Sequence, residues 1–201
     1  HNYDHQWIDV QGRLGSYRIK IPLIGEHQID NAAAVIAAVE VLIGSGINIE
    51  HRHIIEGMAG VNLPGRIQVI GHDPWIILDG GHNPEASGKL RRVLEEYFKP
   101  ERSILIFGCS SDKDISGLIN NLAPCFQKVI VTKADNPRSM QAEILADEFK
   151  KHDKETAIIE NIAQAIDAAK RTAAKNDLIC IAGSLFVAGE ALTHLNLRQS
   201  D

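Results

Sequence analysis

Trp75-Ile76-Ile77-Leu78-Asp79-Gly80-Gly81-His82-Asn83-Pro84 is the stretch on which the fold turns. Its apolar start has the length of a buried strand. The polar glycine-rich turn that follows runs into a proline suited to the first position of a helix. Outward from it, strand and helix signals alternate. Apolar strand segments fall at 67–70, 75–78, 104–107, 129–132, 157–159 and 178–182, and helical patterns at 85–98, 115–122, 140–150, 161–174 and 186–195. Such alternation with short joints predicts an α/β fold: a Rossmann-like, mostly parallel sheet with helices on both faces. The first two segments are separated only by residues 71–74, so they are expected to form a hairpin that adds one antiparallel edge strand.

Upstream the pattern differs. Alternating residues at 7–10 and 17–21 suggest extended structure, and an alanine-rich run at 32–42 predicts a packed helix ended by Gly44-Ser45-Gly46. A short helix is expected over 49–57, with Asn48 as its N-cap. Leu63-Pro64-Gly65 marks a joint, and the domains predicted are 1–63 and 64–201.

The 201 residues carry a formal net charge of -5 without long runs, which recommends neither a nucleic acid nor an anionic membrane as partner. No stretch approaches the ~20 apolar residues of a membrane span. Three widely spaced cysteines, Cys109, Cys125 and Cys180, form no C-x-x-C and no even disulfide set, the usage of a reducing cytoplasm. The first residue is His1, which suggests either processing or a piece of something longer.

In open α/β sheets ligands sit beyond the carboxyl ends of the strands. Four polar loops occupy those positions: 79–84, 108–114, 133–138 and 183–186. Asp79 can accept from ribose hydroxyls, His82 can donate to a phosphate or carboxylate, and Asn83-Pro84 starts the next helix. The alternative is a tight turn in which Asp79 and His82 satisfy local backbone. Asp112-Lys113-Asp114 is either a solvated trio or part of the site. Ser184 is an N-cap, an anion contact, or both. Arg66 and Arg138, each near a turn, read alone as surface residues. Gly88-Lys89 lacks the Ser/Thr and the first Gly of a P-loop. Gly44-Ser45-Gly46 follows a helix and so is no dinucleotide fingerprint, and His51 with His53 has no third metal ligand in view.

Taken in order, Gly25-Glu26-His27-Gln28 with Asn31-Ala32, Leu63-Pro64-Gly65-Arg66 and Asp79-Gly80-Gly81-His82-Asn83-Pro84 resemble the Mur ligase superfamily. Asp112-Lys113-Asp114 and Ala182-Gly183-Ser184-Leu185-Phe186-Val187-Ala188-Gly189-Glu190 narrow the resemblance to the folylpolyglutamate synthase/dihydrofolate synthase branch. That resemblance implies an ATP-dependent, Mg²⁺-assisted amide ligase. It would join L-glutamate to a folate or dihydropteroate through an acyl phosphate, in a monomeric cytoplasmic parent. Carried over by residue, Asn31 contacts adenine, Arg66 reaches the phosphates across the joint and Asp79 holds the ribose. His82 lies near the transferring phosphate or the incoming glutamate, and Ser184 binds glutamate. His27, Asn83, Lys113 and Asp114 would shape the cleft. Where the family usually has alanine, this chain has Gly81, which is expected to loosen the turn slightly.

The resemblance also implies that the phosphate-binding loop, the Mg²⁺ ligands and a modified lysine lie outside these residues. Residues 1–63 would be the tail of the central ATP-binding domain, and the isolated chain would be inactive. Competing readings are a ligase for peptidoglycan precursors and a non-catalytic Rossmann-like module that binds a nucleotide or a protein.

Overall fold

The computed structural model describes residues 3–197 and divides the chain into two compact units, His1–Pro64 and Gly65–Asp201. The first begins with an antiparallel hairpin, β1 (Gln6–Gln11) and β2 (Ser16–Ile21). In β2 Tyr17, Ile19 and Ile21 point inward, as the two-residue repeat of a strand requires. They pack with Ile8 against Ala32 and Ile36 of helix α1 (Glu26–Gly44) and Ile54 and Met58 of helix α2 (His51–Ala59). Buried Glu40 of α1 fastens the hairpin loop, accepting from the Arg13 N–H at 2.8 Å, the Leu14 N–H at 2.9 Å and the Tyr17 hydroxyl at 2.9 Å. The other side of α1 leaves Val35, Val41 and Leu42 exposed.

Two expectations are corrected here. Helix α1 starts six residues before the alanine run, because Gly25 at φ 103 ends the extended segment and accepts the Gln28 N–H at 3.0 Å. Helix α2 starts at His51 with Glu50 as its N-cap, not Asn48. The Glu50 N–H donates to His53 Nδ1 at 3.1 Å, an arrangement that the usual cap residue types do not signal.

The second unit is a six-stranded sheet. Its elements run β3 (Gln68–His72), β4 (Trp75–Asp79), α3 (Pro84–Tyr97), β5 (Ser103–Phe107), α4 (Ile115–Leu122), β6 (Lys128–Val131), α5 (Ala142–Lys150), β7 (Glu155–Ile158), α6 (Ile162–Thr172), β8 (Leu178–Ala182) and α7 (Leu185–Leu197). The spatial order is β3-β4-β8-β5-β6-β7, parallel except for the edge strand β3. The α/β class and the single antiparallel edge strand match the sequence expectation. Strand β3 begins after Ile67, whose φ of 45° takes it out of the extended region.

Successive strand residues feed opposite faces. Ile76, Leu78, Ile104, Ile106, Ile130, Ile179 and Ile181 meet α6 and α7. On the other face, Phe107 packs edge-on against Phe149 of α5 at 5.3 Å between ring centroids. Each fully buried apolar side chain is worth roughly 1.5–3 kcal/mol, which makes the sheet the stable platform for its loops. Strand β8 is inserted between β4 and β5, so the loops after β4 and β5 leave toward one face and the loop after β8 toward the other. Such divergences are the points at which open α/β sheets take their ligands. Register pairs Asp79 with Ala182, Ala182 with Phe107, and Phe107 with Val131, so four loops leave the sheet at one level.

Candidate functional site

Asp79 ends β4 and is 5% exposed. Its Oδ2 accepts from the Ile67 N–H at 3.1 Å and its Oδ1 from the Gly81 N–H at 2.8 Å. Burial raises the Asp79 pKa. The two N–H bonds and the nearby charges of Arg66 and His82 oppose the rise without cancelling it. At Gly81 an added Cβ would come within 2.5 Å of Asp79 Oδ1 and 2.9 Å of the Ala86 Cβ. The missing methyl therefore tightens the turn around the carboxylate, contrary to the expectation of a looser one.

His82 Nδ1 lies 3.2 Å from the Gly80 carbonyl. A carbonyl only accepts, so in this geometry Nδ1 carries a proton, and in the neutral form of the ring Nε2 presents a lone pair. The ring is thus prepared to accept from an ammonium or amine; donation from Nε2 to a phosphate needs the imidazolium. Asn83 accepts from the Ala86 N–H at 2.8 Å and caps α3, with Pro84 at the first helical position.

Ser184 is buried, and its Oγ accepts from the Phe186 N–H at 3.1 Å. The hydroxyl caps the start of α7, while its own proton has no acceptor among the described residues. Gly183, at φ 106, makes the sharp exit from β8 that places Ser184 there. Arg66 leaves the loop before β3 as an exposed residue. That loop is bound to the Asp79 turn, where the Gly80 N–H donates to the Gly65 carbonyl at 2.6 Å. There is no room for a Cβ at Gly80 against Leu185, so the turns carrying His82 and Ser184 lie side by side.

The remaining expected residues have local partners. Lys113 pairs with Asp112 at 2.7 Å, and that bond first of all holds the Asp112 carboxyl below its usual range. Asp114 caps α4 by accepting from the Gly117 N–H at 2.9 Å. The first turn of α4, capped by Asp114, abuts the turn that follows His82: a Cβ added at Gly117 would lie 2.6 Å from Pro84 Cγ. Asn31 and His27 lie in the first unit on successive turns of α1, where Asn31 Nδ2 donates to Gln28 Oε1 at 3.0 Å. The Cys109 thiol, in the loop after β5, is pushed up to about 12, mainly by burial, which favours its protonated form.

Two further residues carry little signal in the sequence. Arg138, which reads there as surface, has its guanidinium carbon 5.4 Å from the Phe186 ring centroid, and its field helps lower Asp112. Its loop is joined to the one after β5 by the Ser111 N–H donating to the Arg138 carbonyl at 2.8 Å. Asn121 Nδ2 donates to the Pro84 carbonyl at 2.8 Å and to Ser87 Oγ at 3.0 Å, tying α4 to the first turn of α3. An Arg after a proline is the only sequence hint for the first; nothing marks the second.

Arg66, Asp79, His82 and Ser184 thus share one edge of the sheet: a cation, a buried acceptor, an imidazole lone pair and a hydroxyl donor. Such a set can hold an anionic group and orient an amine beside it. Among the described residues no group of three His, Cys, Asp or Glu side chains could hold a metal, and no helix is long and apolar enough to cross a membrane.

Comparison with known proteins gives this edge a family. The dihydrofolate synthase/folylpolyglutamate synthase of Mycobacterium tuberculosis is 33% identical over 208 residues, covering 94% of this chain and 42% of that protein. The crystal structure of the M. tuberculosis folylpolyglutamate synthase complexed with ADP and AMPPCP superposes with a TM-score of 0.86 at 30% identity, over 96% of this chain and 45% of that one. A UDP-N-acetylmuramoyl-L-alanyl-D-glutamate–2,6-diaminopimelate ligase of Caldanaerobacter subterraneus is 28% identical over 184 residues, 88% of this chain and 36% of the relative. The chain spans less than half the length of each of these proteins. The family model of the Mur ligase glutamate ligase domain matches residues 65–185, more than half of the chain, and to that family the chain belongs.

Proposed function

We propose that this chain is the C-terminal part of an ATP-dependent ligase that adds L-glutamate to a folate, a dihydropteroate or both, in the cytoplasm. The observation that carries the reading is the grouping of Arg66, Asp79, His82 and Ser184 at the carboxyl edge of β4 and β8, on a fold shared with folylpolyglutamate synthases. In this reading ATP supplies the phosphoryl group that activates the acceptor carboxylate. The chain's own residues do the rest by position and charge. Arg66 faces the phosphoryl oxygens, and Asp79 uses its remaining lone pairs for ribose hydroxyls. Ser184 donates to a carboxylate of glutamate. His82, with its proton held on Nδ1 by Gly80, accepts at Nε2 from the glutamate amine and keeps that amine aimed at the acyl carbon. Asn31 and His27, within the first unit, are read as belonging to the ATP-binding domain, with Asn31 as its adenine contact, while Asn83, Lys113 and Asp114 support the loops of the second.

The described residues offer no cluster of three metal-ligating side chains, and no step here depends on a metal held by this chain. The first unit is read as the tail of the ATP-binding domain. The diaminopimelate ligase match is the lower in identity and covers less of both chains, so the folate branch is preferred.

The test is mass spectrometry of products made by the ligase that contains this chain, given Mg-ATP, L-glutamate and either tetrahydrofolate or dihydropteroate. Addition of one glutamate to either acceptor is expected, with at least a roughly tenfold loss in His82→Ala. Addition of diaminopimelate to a muramyl precursor, with neither pterin used, would overturn the folate reading.

A further inference from the structure

Ile67 is a β-branched residue at φ 45°, a region such residues very rarely enter, and its side chain is 5% exposed. On its other side Arg66 is flanked by Gly65 at φ 69°. The whole segment is pinned to the site turn. The Ile67 N–H donates to Asp79 Oδ2 at 3.1 Å, the Gly65 carbonyl accepts from the Gly80 N–H at 2.6 Å, and the Gly65 N–H donates to Gln68 Oε1 at 2.9 Å. Between these fixed points the Arg66 guanidinium is exposed and has no hydrogen bond or ion pair among the described residues. Relaxing φ at Ile67 to a negative value would rotate the Arg66–Ile67 peptide. The N–H would leave the carboxylate and the Arg66 side chain would take a new direction. A costly backbone held by a buried carboxylate, next to an unpaired cation, is the pattern of strain kept for function.

We propose that Ile67 is a positioning residue. Its left-handed backbone, clamped by Asp79, sets the direction in which Arg66 meets the anionic group at the carboxyl edge. This rests on the ligase reading and gives Asp79 a second role, since one carboxylate both serves the ligand and aims the arginine.

Two substitutions and a double variant in the intact ligase test it. Both variants keep the backbone N–H that donates to Asp79. Glycine takes φ 45° without strain but is equally free to leave it, whereas alanine stays conformationally restricted and loses only side-chain bulk. Ile67→Gly is expected to lower kcat by about tenfold or more with the KM for glutamate within about twofold, and Ile67→Ala to stay within about threefold. Arg66→Ala alone should cost about 100-fold in kcat. Adding Ile67→Gly to Arg66→Ala should then cost nothing further, since Ile67 acts only through that side chain. Thermal melting gives an independent readout: Ile67→Gly should melt at or above Ile67→Ala, the reverse of the usual order. Multiplying losses in the double variant, or a glycine variant that melts below the alanine one, overturns the proposal. An Arg66→Ala enzyme with unchanged kcat instead overturns the placement of Arg66 in the site, and the positioning role falls with it.

Discussion

Glu40 shows how one buried carboxylate can organise a loop. The Leu14 N–H bond is the first cause of its lowered pKa; burial opposes it, and the Arg13 N–H and Tyr17 hydroxyl reinforce it. A depressed carboxyl contributes stability that is present above its unfolded value, about 4.3, and is lost as pH falls through the folded value. Glu40→Gln is therefore expected to lower the melting temperature at pH 7 and to flatten the acid side of the stability curve. Melting followed from about pH 3 to 7 checks this; a variant with the same acid-side slope as the parent would contradict it. Single residues of this kind are the least legible in the sequence. Glu40 sits in a run that reads only as alanine-rich, and its donors, two in a hairpin loop and one in strand β2, are more than twenty residues away. Ile67 reads as the start of a strand, because nothing in an apolar run announces a positive φ. Asp79 and His82 stand out, since a polar cluster after an apolar strand is visible without coordinates, yet their local bonds to Ile67, Gly81 and Gly80 are not.

Elements are more legible where their ends carry their own chemistry. Asn83-Pro84, Asp114 and Asn161 each mark a helix start by cap type alone, and each accepts an N–H three residues on. Helix α1 begins earlier than its alanine run suggests because its first turn and a half, from Glu26 to Asn31, is polar except for Ile29 and follows a glycine. What no periodicity conveys is how elements are fastened to each other. Asn121 joins α4 to the turn that follows His82, so Asn121→Leu should remove two hydrogen bonds and cost about 1–2 kcal/mol in urea unfolding. An unchanged unfolding free energy would show that the start of α3 is held by Asn83 and Pro84 alone.

At the scale of the whole molecule, alternation of strand and helix announces a parallel sheet, but not that β8 returns to the middle of it. That insertion, between β4 and β5, is a long-range pairing of segments 99 and 71 residues or more apart in sequence, and it is what brings Ser184 beside the Asp79 turn. The four loops are expected on one edge from the rule for open sheets; the register of Asp79, Ala182, Phe107 and Val131 gives that edge its common level. The central claim is that this edge serves a ligase which activates a carboxylate by phosphorylation. It is tested most directly by following oxygen. An acceptor labelled with ¹⁸O in its carboxylate is incubated with the intact ligase, Mg-ATP and L-glutamate. A carboxylate oxygen bonds to the γ-phosphorus as the bond to the β,γ-bridging oxygen breaks and ADP leaves; the glutamate amine then attacks the acyl carbon, the C–O bond breaks, and phosphate and a proton are released. One labelled oxygen is therefore expected in the inorganic phosphate for each amide formed. Amide formation with the label in AMP, or with no label in phosphate, would contradict the account.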